Sequence, residues 1–325
     1  MSYLVLILGL ATLIIGGEFL VRGAVGIAQK LKLSSLVIGM TVVSFGTSAP
    51  ELIVSIKAAL YGNSEIALGN VIGSNIANIA LVLGITVLIF PLPVDRNSKI
   101  IDWPMMLFAS VLFYVFAMTG TGSTETGGLI ERYEGIILFV LLLAFITFLI
   151  RNSRKHTARL MEEDEAVVIP TSRQFIQAIL FLAIGLVGLY FGAEWLLKGA
   201  VEIALDWGME ERIIGITIIA FGTSVPELVT SAVAAYRKET DISIGNLIGS
   251  NIFNIMAVIG ITAIVKPIDV TENTLNIDMI WMLAIALALL PMLVIGKKIT
   301  RFKGLLLLGS YIAYIAVLLL SQSPQ

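Results

Sequence analysis

The chain has 325 residues, 58% of them hydrophobic and 14% charged, with no Cys and a single His. A soluble protein would carry about a quarter charged residues, so this composition is that of an integral membrane protein. The formal charge of −2 excludes the basic field that nucleic-acid binding requires, and with only His156, set among charges, neither a thiolate or multi-His metal centre nor a buried Ser–His pair can be built.

A helix needs an apolar run of about 17 to 25 residues to cross the hydrocarbon. Polar punctuation cuts the chain into ten such runs: 3–27, 36–61, 66–90, 101–119 and 133–151, then 173–199, 212–236, 242–265, 277–296 and 303–321. The expected fold is all-α, a multi-pass protein of the cell membrane. The first run lacks the charged start and cleavage site of a signal peptide, and matching sequence recurs from about Gly185, so it is read as part of the fold. Cytoplasmic loops hold most Lys and Arg. With the N-terminus outside, 16 of the 21 basic residues fall inside; Lys57, Arg132, Lys198, Arg212 and Lys266 fall outside. Both termini are therefore expected outside and the 152–172 linker in the cytoplasm. That linker, with its RNSRK start and EEDE run, reads as a solvated connector too short for a folded domain.

Offset by 176 residues, the chain matches itself. GEFLVRGAV (17–25) aligns with AEWLLKGAV (193–201), and the match runs without a gap to Pro91 against Pro267. Between 38–55 and 214–231, 11 of 18 positions are identical; between GNVIGSNIANI (69–79) and GNLIGSNIFNI (245–255), 9 of 11 are. The chain thus reads as a first five-helix repeat (1–151), the linker and a second five-helix repeat (173–325). Five spans is an odd number, so the copies run through the membrane in opposite senses, the inverted-repeat plan of many secondary transporters. Duplicated packing surfaces would retain an apolar pattern; here polar residues are retained.

In FGTSAPEL (45–52) a Gly, two hydroxyls, a Pro and a Glu lie near the middle of an apolar span. Pro50 has no N–H and clashes one turn back, so the helix breaks there, near the midplane. Such a break is tolerated only where it is buried in protein or lines a wet cavity, and carbonyls at the end of the first half-helix can ligate cations. Thr47, Glu51 and Ser55 are four apart and share a face. Gly222, Thr223, Ser224, Pro226, Glu227 and Ser231 repeat the pattern. Ser48 to Glu51 and Ser224 to Glu227 also read as S-x-x-E capping boxes. An acidic residue at the bilayer centre, however, costs about 2.5 to 3.5 kcal/mol against about 1 returned by a cap, so both Glu residues point to cation work. In the second motif, Gly69, Gly73 and Ala77 form a small-residue packing stripe. Ser74 and Asn78, repeated as Ser250 and Asn254, put a hydroxyl and an amide on one face. Asn70, Asn75, Asn246 and Asn251 are either ligands or interhelical hydrogen bonds, the latter favoured. Glu18 and Glu194, a further mirrored pair, line an ion pathway or pair with Arg or a lipid headgroup. These donors are all hard oxygens, suited to Ca2+ and able to hold Na+. Two Glu charges balance one divalent or two monovalent cations.

The paired GTSAPE and GTSVPE motifs, each followed by GNxIGSNIxN, resemble the two alpha repeats of the cation/Ca2+ exchanger superfamily, specifically its Na+/Ca2+ exchanger branch. The resemblance implies Na+ and Ca2+ as transported substrates, no cofactor, no obligate protein partner, no enzymatic step, and alternating access in which the first spans of the two halves slide past a fixed core. The implied ligands are Ser44, Thr47, Ser48, Glu51, Ser74 and Asn78 from the first repeat and Ala220, Thr223, Ser224, Glu227, Ser250 and Asn254 from the second. Ser44 and Ala220 would act through backbone carbonyls. Some relatives, including the K+-dependent branch, carry Asp at the position of Asn254; Asn in both halves favours K+-independent, electrogenic exchange. H+/Ca2+ exchange, K+-dependent exchange and a passive cation channel are the alternatives. An intramembrane hydrolase using Ser48 or Ser224 would lack a base.

Overall fold

The computed structural model describes residues 2–120, 127–163, 171–209 and 222–321. The helices among them are α1 (Ser2–Leu31), α2 (Ser35–Thr47), α3 (Ala49–Leu60), α4 (Ser64–Ile89), α5 (Ser98–Thr119), α6 (Arg132–Glu163), α7 (Ser172–Asp206), α8 (Val225–Tyr236), α9 (Thr240–Val265), α10 (Thr274–Val294) and α11 (Arg301–Ser321). Eight are long and apolar enough to cross a membrane, and α2 with α3 forms a ninth span interrupted at Ser48. The expected run 212–236 begins outside the described residues; its second part is α8. Two helices run past their expected ends. α7 continues to Asp206, and α6 continues to Glu163, through half of the expected connector, because residues 151–163 contain no Gly or Pro and are rich in good helix formers.

The described chain forms two compact units, residues 1–50 with 141–250 and residues 51–140 with 251–325. Each draws on both sequence halves. In the first, α1 packs on α7 along glycines: a Cβ at Gly23 would lie 2.5 Å from the Leu182 nitrogen, and one at Gly192 2.8 Å from the Leu13 nitrogen. Small residues let backbones approach this closely where lipid removes the hydrophobic drive for helix association. Gly9 meets Leu196 whereas Gly23 meets Leu182, so α1 and α7 are antiparallel. In the same unit α9 packs on α2, where a Cβ at Gly245 would lie 2.6 Å from the Leu36 carbonyl. The mirrored glycines, Gly69 and Gly73, meet no described residue within 4 Å; the counterpart of 36–44 is 212–220, outside the described residues. Ser34 caps α2 by accepting from the Val37 N–H at 3.4 Å, and its own N–H donates to Ser153 Oγ at 2.8 Å, tying α2 to α6.

In the second unit α4 packs on α11 at Gly84 and Gly304, where an added Cβ on Gly84 would lie 3.2 Å from the Gly304 carbonyl. Trp103 Nε1 on α5 donates to the Ala286 carbonyl of α10 at 2.8 Å. The all-α expectation is modified by two antiparallel ribbons: β1 (Leu92–Pro93) pairs with β4 (Lys298–Ile299), and β2 (Gly128–Ile130) with β3 (Ile268–Val270). Two or three residues are too few to leave an alternating pattern in a sequence.

The backbone repeats with the sequence. α1, α3, α7 and α8 end in a left-handed residue: Lys32 (φ 55°), Gly62 (φ 85°), Gly208 (φ 78°) and Lys238 (φ 65°). At each end the next N–H reaches back to the helix, as in Leu33 to Ala28 at 3.0 Å and Met209 to Ala204 at 3.0 Å, the hydrogen bond of a Schellman stop. Lys32 corresponds to Gly208 and Gly62 to Lys238. Wider π turns, bonded five residues apart, occur at Ala77–Val82 of α4 and Asn254–Ile259 of α9, at the starts of α5 and α10, and at Gly39–Val43 of α2. Such turns gather at functional sites.

Candidate cation site

Ser48, at the break between α2 and α3, and Ser224, at the start of α8, have the same backbone. Ser48 has φ −86° and ψ 1°, and Ser224 φ −89° and ψ 3°. Pro50 and Pro226 stand in the first turn of the helix that follows, where a missing N–H costs no helical bond; α2 therefore ends just before its proline. Glu51 and Glu227 lie one residue beyond it, each 1% exposed.

The capping reading does not survive. Ser224 makes no side-chain capping bond to α8. Ser48 Oγ, Ser224 Oγ and both Glu227 carboxylate oxygens are buried and accept no hydrogen bond of good geometry from the described residues. The side chain facing the Glu227 carboxylate is Thr47, on the first repeat.

In the first unit, motif residues of the two repeats meet directly. Thr47 Oγ1 lies 3.3 Å from Ser250 Oγ and donates to Asn246 Oδ1 at 3.3 Å. Ser44 Oγ donates to the Gly39 carbonyl at 2.8 Å and approaches the Asn246 carbonyl at 3.1 Å. Its hydroxyl is thus engaged in joining α2 to α9, which suits the backbone role the resemblance gives it. Asn246 Nδ2 donates to Ser231 Oγ at 3.1 Å, fixing α9 to α8. Thr223 is half-buried in this unit; Ala220 lies outside the described residues.

The second unit holds Glu51, Ser74, Asn78 and Asn254. Asn70 Nδ2 donates to Ser55 Oγ at 2.9 Å and to the Glu51 carbonyl at 3.2 Å, the counterpart of Asn246 on Ser231. Asn78 Nδ2 donates to Asn251 Oδ1 at 3.1 Å, and Asn251 Nδ2 to the Asn75 carbonyl at 3.2 Å. Asn70, Asn246 and Asn251 are therefore interhelical hydrogen-bonders, as favoured. Ser74 Oγ, Asn78 Oδ1 and Asn254 Oδ1 are buried without a partner among the described residues.

A buried polar atom left unpaired costs about 1 to 3 kcal/mol, and native proteins keep few of them. Six of the expected ligands, Ser48, Ser74, Asn78, Ser224, Glu227 and Asn254, carry such atoms among the described residues, beside Asn75, Thr86, Ser98, Thr230 and Thr262. Their chemistry is carboxylate, hydroxyl and amide oxygen, the donor set of hard cations. Among the described residues no three His, Cys, Asp or Glu side chains gather, so most donors are neutral.

A third mirrored acidic pair lies beyond Pro91, where the gapless match between the halves ends. The same offset matches Asp102 to Asp278 and Met106 to Met282, so three acidic pairs, not two, lie in the spans. Asp102 is 1% exposed, and Asp278 Oδ1 accepts from Tyr314 at 3.3 Å. For Glu18 the structure selects the Arg alternative: it is clasped by Arg22, at 2.5 Å, and by Arg237, whose Nε lies 2.8 Å from Oε2. Glu194 is exposed and forms no ion pair among the described residues.

A multi-pass helical membrane protein with buried oxygens that find no partner among the described residues, beside two mirrored prolines, has the make-up of a transporter rather than of a lipid-packed bundle. The chain belongs to the sodium/calcium exchanger protein family, which matches residues 1–151 and 177–320. It is 38% identical over 314 residues to CaxA of Alkalimonas amylolytica, an antiporter by name, covering 95% of each chain. It is 33% identical over 346 residues to the sodium/calcium exchanger MaX1 of Methanosarcina acetivorans, covering 98% of each. Among solved structures it resembles the sodium-calcium exchanger NCX_Mj with a TM-score of 0.82 and 31% identity over 98% of both chains.

Proposed function

We propose that the protein is a secondary active antiporter that exchanges Na+ for Ca2+ by alternating access, electrogenically and without K+. The observation that carries this reading is that six expected ligands, three from each repeat, hold buried oxygens with no hydrogen-bond partner among the described residues. An unpaired oxygen is costly in an empty fold and useful when a cation supplies the missing charge. The family membership and the exchangers among its relatives agree with it.

The ligands in this reading are Glu51 and Glu227, the hydroxyls of Thr47, Thr223, Ser48, Ser224, Ser74 and Ser250, the amides of Asn78 and Asn254, and the carbonyls of Ser44 and Ala220. The two carboxylates neutralise one Ca2+. Several Na+ ions compete for the same oxygens, and because two Glu balance only two of them, a third carries net charge across. Asn254 supplies an oxygen without a further charge, which disfavours the extra cation that K+ coupling needs. No covalent step is involved.

Ten transmembrane helices form two inverted five-helix repeats in this account, both termini outside and the 152–172 segment cytoplasmic. The antiparallel packing of α1 on α7, equivalent helices of the two halves, supports the inversion. Their glycine seam holds the two helices together as one body, which can slide jointly past the site-bearing helices. Purified protein in liposomes should take up Ca2+ against an outward Na+ gradient; uptake indifferent to that gradient would leave the channel reading instead.

A further inference from the structure

Two asparagines outside the expected ligand set form, with two methionines, a hydrogen-bond chain of fixed polarity. Asn251 Nδ2 donates to the Asn75 carbonyl at 3.2 Å and to Met106 Sδ at 3.6 Å, while Asn251 Oδ1 accepts from Asn78 Nδ2 at 3.1 Å. In the mirrored position Asn75 Nδ2 donates to Met282 Sδ at 3.7 Å. Asn75, Asn78, Asn251, Met106 and Met282 are each no more than 2% exposed.

The two ends of an amide have nearly the same shape but opposite character, one donating and the other accepting. Packing alone does not choose between them. A thioether sulfur and a backbone carbonyl have no proton to give, so Met106 and the Asn75 carbonyl can only receive, and the Nδ2 end of Asn251 must face them. Its Oδ1 then faces Asn78, takes the Asn78 N–H, and leaves Asn78 Oδ1 buried and without a partner among the described residues. An Asn78 amide turned the other way would present N–H to a cation and repel it. In the second copy Met282 holds Asn75 in the same sense, and among the described residues Asn75 Oδ1 and both ends of the Asn254 amide have no partner. One link of the mirrored chain is closed in this structure and the other open.

We infer that Asn251 and Asn75, keyed by Met106 and Met282, are positioning residues that turn the carbonyl ends of Asn78 and Asn254 toward the transported cation. The inference rests on the proposed cation site and adds what orients two of its ligands. An apolar pattern does not ask for a sulfur at 106 and 282; an acceptor without a proton does.

The test is a mutant cycle on Na+-driven Ca2+ uptake in proteoliposomes, using Met106→Leu, Asn251→Leu and Asn78→Ala singly and in pairs. Met106→Leu conserves volume, which cores tolerate well, so it carries the test even where Asn251→Leu fails to fold. Each of the two should raise the apparent KM for Ca2+ about threefold to tenfold, the range for one neutral hydrogen bond, while the maximal rate changes less than twofold. In the Asn78→Ala background the effect should vanish, because the chain then ends on nothing. An unchanged KM, or an increase that simply multiplies with that of Asn78→Ala, overturns the positioning role and leaves the cation site standing. Wild-type KM in Asn78→Ala alone removes both.

Discussion

Thr47 Oγ1 and Ser250 Oγ, from the GTSAPE motif of one repeat and the GNLIGSN motif of the other, lie 3.3 Å apart. Residues separated by two hundred positions meet because α9 presses onto α2 through Gly245 and Gly249, where any side chain would collide with α2. The small-residue stripe and the hydroxyls beside it thus serve one purpose, bringing oxygens of both repeats onto a common face.

Neutralising either carboxylate should stop transport. Glu51→Gln and Glu227→Gln each remove half of the site's negative charge while keeping shape. Leaving a bound cation one negative charge short costs about 2 to 5 kcal/mol of binding, so uptake should fall by about a hundredfold or more in both, with unfolding temperature in detergent maintained or raised. Wild-type rates would place these residues outside the site.

Ser48→Ala and Ser224→Ala separate capping from ligation. Loss of an N-cap costs about 1 kcal/mol. Because these hydroxyls make no such bond, the variants should be as stable as the parent or slightly more so, with a raised KM for Ca2+. Destabilisation by a full cap's worth, with KM unchanged, would restore the capping reading.

The ion pairs of Glu18 are partly exposed, with Arg22 and Arg237 side chains 54% and 45% accessible. Such pairs contribute under about 1 kcal/mol. Glu18→Gln should therefore lower stability slightly and retain Na+-dependent Ca2+ uptake. Loss of uptake comparable to that of Glu51→Gln would put Glu18 on the ion path.

Lys32 and Lys238 occupy left-handed positions that their counterparts Gly208 and Gly62 fill without strain. A non-glycine residue there costs roughly 1 kcal/mol. Lys32→Gly and Lys238→Gly should each stabilise the protein by about 0.5 to 1 kcal/mol, read as a higher unfolding temperature in detergent. Destabilisation would show that the lysine side chains contribute more than the backbone strain takes away.

The sequence exposes the spans and the breaks because a Glu, a Pro or two hydroxyls stand out in an apolar run, and a duplication shows which of them are retained. It conceals what depends on the third dimension. The π turn that carries Asn78 has no composition of its own. The ribbons at 92–93 and 128–130 are too short to show a period. Asn75 and Met282 become partners only once α4 and α10 are packed, although the offset of 176 that relates Met106 to Met282 was present throughout. The polar connector became helix to Glu163 because polarity and helix propensity are separate properties, and a run without Gly or Pro continues a helix it inherits.

The most direct measurement is radiolabelled Ca2+ uptake into Na+-loaded proteoliposomes without K+ coupling ions, compared with vesicles of equal Na+ on both sides, with the membrane potential clamped. Uptake should require the outward Na+ gradient and quicken when the vesicle interior is made positive, since more positive charge leaves with Na+ than enters with Ca2+. Equal uptake with and without the Na+ gradient would contradict it.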